Sequence, residues 1–174
     1  MARKNEEEKT NVMRVLDQKK IGYRPYCYKN AAGEKETVTN GVEIAAFLGE
    51  DVRKVFKTLV TVGKSGQHYV FMIPVAEELD LRKAAISVSE KSIAMIPQKD
   101  LLPLTGYVHG GCSPIGMKKT FPTTLHETAL EFDTIIFSAG KIGYQVELPA
   151  KDLEKIVRLQ YADVTAITVK KVFY

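Results

Sequence analysis

Val55-Phe56-Lys57-Thr58-Leu59-Val60-Thr61-Val62, then Gly63-Lys64-Ser65-Gly66, then His68-Tyr69-Val70-Phe71-Met72-Ile73-Pro74-Val75: this stretch decides the fold. Two runs rich in β-branched and aromatic residues flank a loop of Gly, Lys and Ser. That composition predicts two antiparallel strands joined by a hairpin turn. One residue breaks the first run. Lys57 shares a strand face with Val55 and Leu59, and an amine on an apolar face must find a partner, line a cavity, or snorkel from the sheet edge.

Outward from the hairpin, helices and strands alternate without βαβ regularity. Upstream, Val12, Val15, Leu16 and Ile21 recur at helical spacing and Gly22 ends the run. Tyr23 to Tyr28 reads as a strand, with Pro25 placing it near an edge. Asn30-Ala31-Ala32-Gly33 is a turn. Thr39 or Asn40 caps a short helix that runs to Leu48 and stops at Gly49. Downstream, Leu79 to Ile86 reads as a helix, Ser92 to Ile96 as a short strand, and the segment around Leu101-Leu102 as a short helix. Thr123 to His126, Thr134 to Ser138 and Tyr144 to Leu148 read as strands. Ala150 to Val157 reads as a terminal helix and Val164 to Val169 as a final strand. Hairpins with interspersed helices predict an α+β domain with a mixed, largely antiparallel sheet.

Composition sets the frame. At about 150 residues per domain, 174 residues make one domain, 1–174. The hydrophobic fraction of 45% and charged fraction of 26% are those of a globular chain. A net charge of +4 is compatible with a phosphate-bearing partner but falls far short of a nucleic-acid coat protein. Cys27 and Cys112 are too few for a disulfide framework and fit a reducing compartment. The charged N-terminus Met1-Ala2-Arg3-Lys4-Asn5-Glu6-Glu7-Glu8 has no apolar core for a signal peptide, and no apolar run approaches membrane-spanning length. A cytoplasmic protein with no membrane partner is the expectation.

Chemistry concentrates in two glycine-bearing loops. Gly110-Gly111-Cys112-Ser113-Pro114-Ile115-Gly116-Met117-Lys118-Lys119 lies within an aperiodic segment, Gly106 to Pro122. Paired glycines permit close backbone approach, and successive N–H groups can form an anion-binding concavity. The other reading is a surface turn with solvated lysines. The spacings match neither a P-loop nor a dinucleotide fingerprint. Ser138-Ala139-Gly140-Lys141-Ile142-Gly143 repeats the pattern between two strands, where a plain hairpin connection also accounts for it. Cys112 beside His109 suggests a nucleophile and base, yet no third member is evident and a packed thiol explains Cys112 better. The spacings of His68, His109 and His126 match no zinc motif. Glu77-Glu78 reads as solvated surface.

Phe56-Lys57-Thr58-Leu59, the Gly110-Gly111-Cys112-Ser113-Pro114-Ile115-Gly116 loop, and Ser138-Ala139-Gly140 before Tyr144-Gln145-Val146-Glu147-Leu148 occur in this order. Together they resemble the YbaK/EbsC family of aminoacyl-tRNA deacylases, whose relatives include the prolyl-tRNA synthetase editing domain. The resemblance spans roughly residues 10 to 160. It implies a partly closed mixed sheet with surrounding helices and a pocket for the aminoacyl end of tRNA. It also implies that Lys57, Gly110 and Gly111 are catalytic, and that Ser113, Pro114, Gly140 and Tyr28 bind substrate. Lys118, Lys119 and Lys141 would then meet acceptor-stem phosphates. No cofactor or metal is implied.

An aminoacyl ester is already activated. A site that desolvates it, holds it in a near-attack pose and donates hydrogen bonds to the developing oxyanion is sufficient. The resemblance assigns cysteine as the favoured amino acid on tRNA(Pro) and tRNA(Cys). It makes the substrate's own thiol the attacking group, which is formally lyase-like, and names prolyl-tRNA synthetase as a candidate partner. A non-catalytic module that holds the acceptor end or docks on a synthetase is the competing expectation, and a small-ligand binder with no RNA role is a third.

Overall fold

The computed structural model describes residues 9–28 and 40–166. Helix α1 (Asn11–Gln18) starts at Thr10, whose side chain accepts from the Met13 N–H, and buries Val12, Met13 and Leu16. Strand β1 is Arg24–Cys27. Helix α2 (Gly41–Leu48) is capped by Asn40, whose side chain accepts from the N–H groups of Val42 and Glu43, and ends at Gly49 in the left-handed conformation. Asn40 thus fills the cap role; Thr39 and the turn expected at Asn30 to Gly33 lie outside the described residues. The deciding hairpin forms as β2 (Phe56–Gly63) and β3 (His68–Pro74), antiparallel from Phe56↔Pro74 to Val62↔His68.

Then come α3 (Leu81–Ser87), begun by Asp80, β4 (Ile93–Met95) and α4 (Leu101–Thr105). Strands β5 (Thr123–His126), β6 (Ile135–Ser138) and β7 (Tyr144–Leu148) follow, with the short α5 (Ala150–Leu153) and β8 (Leu159–Ala162). Among the described residues no helix is long and apolar enough to cross a membrane.

The strands form two sheets, in the orders β1-β7-β6 and β4-β2-β3-β5-β8. Pairing is antiparallel except at β3–β5 and β5–β8, which are parallel. The α+β expectation therefore holds, with one correction: among the described residues the sheets are open and not partly closed. Among the described residues one parallel bridge, Val55↔Ile136, links them.

The C-terminal expectations also need correction. The helix stops at Leu153 because the chain tightens into turns, with Ile156 and Val157 N–H groups both donating to the Leu153 carbonyl. This frees Leu159–Ala162 to pair with β5. In the strand expected from Val164, Thr165 makes one bridge to Leu79, and residues 167–169 lie outside the described residues.

The main core lies between the inner faces of the sheets and α1, built on Phe56, Val60, Met72, Leu125, Phe137 and Val146. A second cluster of Phe71, Ile73, Ala84 and Ala85 packs α3 on the opposite face of β2–β3. The aperiodic segment from Gly106 is folded, not loose. Tyr107, Cys112, Ile115 and Phe121 enter the main core, and the Tyr107 hydroxyl donates to the Ile115 carbonyl at 2.6 Å.

Candidate active site

Two strands leave the same edge of β2 in different directions. β6 touches it at Val55, and β4 pairs with it from Thr61 to Gly63. Between them lies a cavity of about 410 Å³, near the lower end of the ~300–1,000 Å³ span of small-ligand sites. Val55 through Val60 form its floor. Gly41, Ile44 and Val75 close one side, and Met95, Ile96, Gln98 and Leu101 another. His109, Gly110 and Cys112, with Ser138 and Gln145, form the facing wall.

Lys57 and the glycine loop, far apart in sequence, therefore border one cavity. Lys57 is half-buried, and burial pushes its amine below the usual lysine range, partly offset by the fields of Glu78 and Glu77. No carboxylate is among the described residues that line the cavity. Burial pushes the Cys112 thiol up to about 12, which keeps it protonated and unsuited to attack. The other histidines sit elsewhere. His126 accepts from the Val164 N–H at 3.1 Å, and His68 packs against Phe121 at 5.5 Å.

The remaining expected residues separate into wall and support. Gly110 reaches the cavity at φ +90°, a conformation open to glycine. Gly111 does not line it. Its N–H donates to the Val108 carbonyl at 2.9 Å, so it is not a free oxyanion donor. A Cβ on Gly111 would stand 3.1 Å from the Ile142 nitrogen and 3.3 Å from the Lys141 carbonyl carbon, so the small residue is needed for packing against that turn. Ser113 and Pro114 are buried behind the wall; the Ser113 Oγ accepts from the Ile115 N–H. Gly140, at φ +90°, would press a Cβ to 2.9 Å from Val12 and 3.0 Å from the Tyr107 ring. Its N–H donates to the Oγ of Ser138, which does line the cavity. Tyr28 is buried outside the lining, its N–H donating to the Gly143 carbonyl. Lys118 and Lys119 are exposed. The Lys118 amine lies 3.4 Å from the Pro103 carbonyl, and the Lys141 amine lies 5.5 Å from the Tyr144 ring centre.

Four polar lining residues escaped the sequence reading as site members: Thr58, Gln98, Ser138 and Gln145. Gln145 is only 6% exposed, and a buried amide normally finds a hydrogen-bond partner. Alternation in β7 puts Gln145 on the polar face with Glu147, opposite Tyr144, Val146 and Leu148, so nothing in the sequence marked its burial.

A half-buried cation, a glycine loop and a cavity whose described lining holds no carboxylate and no ionised thiol define a class of site that binds and orients an activated group. The comparisons agree with that class and narrow it. A family model described as "Aminoacyl-tRNA editing domain" matches residues 35–156. A protein of Enterococcus faecalis named "Putative Cys-tRNA(Pro)/Cys-tRNA(Cys) deacylase EbsC" is 42% identical over 165 residues, covering 95% of this chain and 98% of its own. A segment of the proline–tRNA ligase of Fervidobacterium nodosum is 32% identical over 81 residues, 47% of this chain and 14% of the ligase. A solved structure described as "a putative trans-editing enzyme for prolyl tRNA synthetase" superposes with a TM-score of 0.74 at 24% identity, covering 90% of this chain and 98% of the other. The chain belongs to the aminoacyl-tRNA editing domain family.

Proposed function

We propose that the protein is a trans-editing deacylase that removes a mischarged amino acid, cysteine above all, from tRNA(Pro), and acts likewise on Cys-tRNA(Cys). The observation that carries this is the juxtaposition of Lys57 with Gly110 in a cavity whose own thiol, Cys112, is held protonated. A site with an orienting cation and a thiol held protonated suits a substrate that carries its own nucleophile. The 42% identity to a relative bearing that deacylase name supports the substrate class.

In this mechanism the substrate cysteine's sulfur attacks its own ester carbonyl. A carbon–sulfur bond forms, the bond to the ribose oxygen breaks, and the thiol proton ends on that oxygen, giving a cyclic thiolactone and free tRNA. Lys57 orients the terminal ribose or phosphate through its charge. The cavity desolvates the ester and holds it in a near-attack geometry. Gly110 permits close approach of the carbonyl. Ser113, Pro114, Gly140 and Tyr28 brace the wall from behind. Lys118, Lys119 and Lys141 meet phosphates of the acceptor stem, and prolyl-tRNA synthetase is the candidate partner that delivers the tRNA.

A deacylation panel of tRNA(Pro) charged with Cys, Ala, Ser or Pro tests the reading. Rapid release from the Cys form with thiolactone as first product is the expected result. Equal, slow release from all four overturns it.

A further inference from the structure

Among the described residues, the floor of the cavity is a gap in hydrogen bonding as well as in packing. The phase of the β2–β3 ladder follows from its two ends. The Val75 N–H donates to the Val55 carbonyl at 2.9 Å, and the Gly63 N–H donates to the Gln67 carbonyl at 2.9 Å. In an antiparallel pair, hydrogen-bonded and non-bonded residues alternate. Odd-numbered residues of β2 therefore turn their main-chain groups toward β3, and even-numbered ones turn them away. The far side agrees: the Val60 carbonyl accepts from the Ile96 N–H at 3.4 Å. Thr58 is even-numbered and pairs in register with Met72. Its N–H and C=O point to the outer edge, at the place that neither the bridge at Val55 nor the pairing from Thr61 covers. Thr58 lines the cavity, and its Oγ1 is buried with no hydrogen-bond partner among the described residues.

We infer that the main chain of Thr58 pairs with the aminoacyl group as though that group were one residue of a missing strand. The Thr58 N–H donates to the carbonyl oxygen of the ester, and the α-amino group donates to the Thr58 carbonyl. This inference rests on the deacylase reading above. An α-aminoacyl ester presents a donor and an acceptor on one carbon in the same relation as a strand residue, so a one-residue gap in a sheet edge is complementary to it. The Thr58 N–H also supplies the carbonyl-directed donor that Gly111 cannot, because the Gly111 N–H is already used. Backbone pairing reads what all amino acids share. Selection among them then falls to the walls, at Met95, Ile96 and Gln145.

Amide hydrogen exchange, read residue by residue by NMR, tests this on the full chain. The probes are adenosine and 3′-amino-3′-deoxyadenosine acylated with alanine through a non-cleavable amide. In the free protein the Thr58 amide should exchange at least about tenfold faster than those of Lys57 and Leu59, which face β3. Saturating alanyl probe should slow it by at least about tenfold, and adenosine should leave it unchanged. Three outcomes overturn the inference alone: a Thr58 amide already as protected as its neighbours, protection by adenosine alone, or no protection while shifts at His109 and Gly110 report binding. No shift anywhere in the cavity with either the alanyl probe or its cysteinyl counterpart overturns the deacylase reading as well.

Discussion

At the scale of single residues, charge and burial separate groups that act from groups that pack. Lys57 sits half-buried without an ion-pair partner of its own among the described residues, which is costly for stability and useful only if something anionic or polar arrives. Lys57→Met should therefore leave the thermal midpoint unchanged or raise it, while deacylation falls on the order of a hundredfold or more. Near-normal turnover in the folded variant would remove Lys57 from the mechanism. Cys112 presents the opposite case. With its thiol pushed up to about 12 by burial, it should resist iodoacetamide at neutral pH, while exposed Cys27 is alkylated. Mass mapping reads this directly, and Cys112→Ala should retain most of the turnover. An acyl group trapped on Cys112 would restore the protein-thiol mechanism. Lys57 was legible in the sequence because a cation in an apolar run violates a local rule. Thr58 and Gln145 violated none, since threonine is an ordinary strand residue and the vacancy beside it is made by strands far away in sequence.

At the scale of elements, the glycines divide by what surrounds them. The hairpin, α1 and strands β5 to β7 were legible because each is a continuous run with its own period and stop signals. The paired glycines were legible as special, but not their division of labour. That depends on the Lys141–Ile142 turn, which packs against Gly111 from another part of the chain. Gly140 combines φ +90° with a Cβ position 2.9 Å from Val12 and 3.0 Å from Tyr107. Gly140→Ala should cost about 2–4 kcal/mol of stability, from backbone strain and overpacking together. Its activity should fall in step with the folded fraction. Gly111→Ala meets backbone at 3.1 Å, a longer contact than at Gly140, and without positive φ, so about 1–3 kcal/mol is expected. Its rate loss should arise through displacement of the wall and not through a lost donor. Urea titration beside single-turnover kinetics distinguishes these. A large rate loss in Gly111→Ala at full stability, with the Lys141–Ile142 turn unmoved, would return Gly111 to a direct catalytic role.

At the scale of the whole molecule, the cavity lies beside the joint where the two sheets, packed together through the main core, are linked by the Val55↔Ile136 bridge. A polar clasp reinforces that joint. Lys54, next to Val55, donates to Glu147 at 2.8 Å and to the Thr134 hydroxyl at 2.9 Å. The Thr134 hydroxyl donates to Glu147 at 2.5 Å, and the single Tyr26 hydroxyl proton is shared between Glu147 at 2.6 Å and Glu50 at 2.9 Å. Glu147 faces Ile136 across the β6–β7 ladder, so the clasp grips both sides of the bridge. Burial alone would raise the Glu147 carboxyl, but hydrogen bonds from Lys54, Thr134 and Tyr26 outweigh it and hold the group down at about 2. A carboxyl depressed on folding contributes stability above its unfolded value, ordinarily near 4.5, and loses it as pH falls toward the folded value. The contribution at neutral pH is about 3 kcal/mol and should disappear between roughly pH 5 and pH 2. Glu147→Gln should therefore lower stability at pH 7 by about 2–4 kcal/mol, because it leaves the buried Lys54 amine without its counter-charge. The difference between variant and unaltered protein should shrink as the solution is acidified, which urea titrations at pH 7, 4.5 and 3 would follow. Deacylation should fall in the same variant although Glu147 does not line the cavity, because the angle between the sheets sets the distance from Lys57 to Gly110. Unaltered acid stability and turnover in Glu147→Gln would mean that the apolar contacts of Ala45, Val55 and Ile136 hold the joint by themselves.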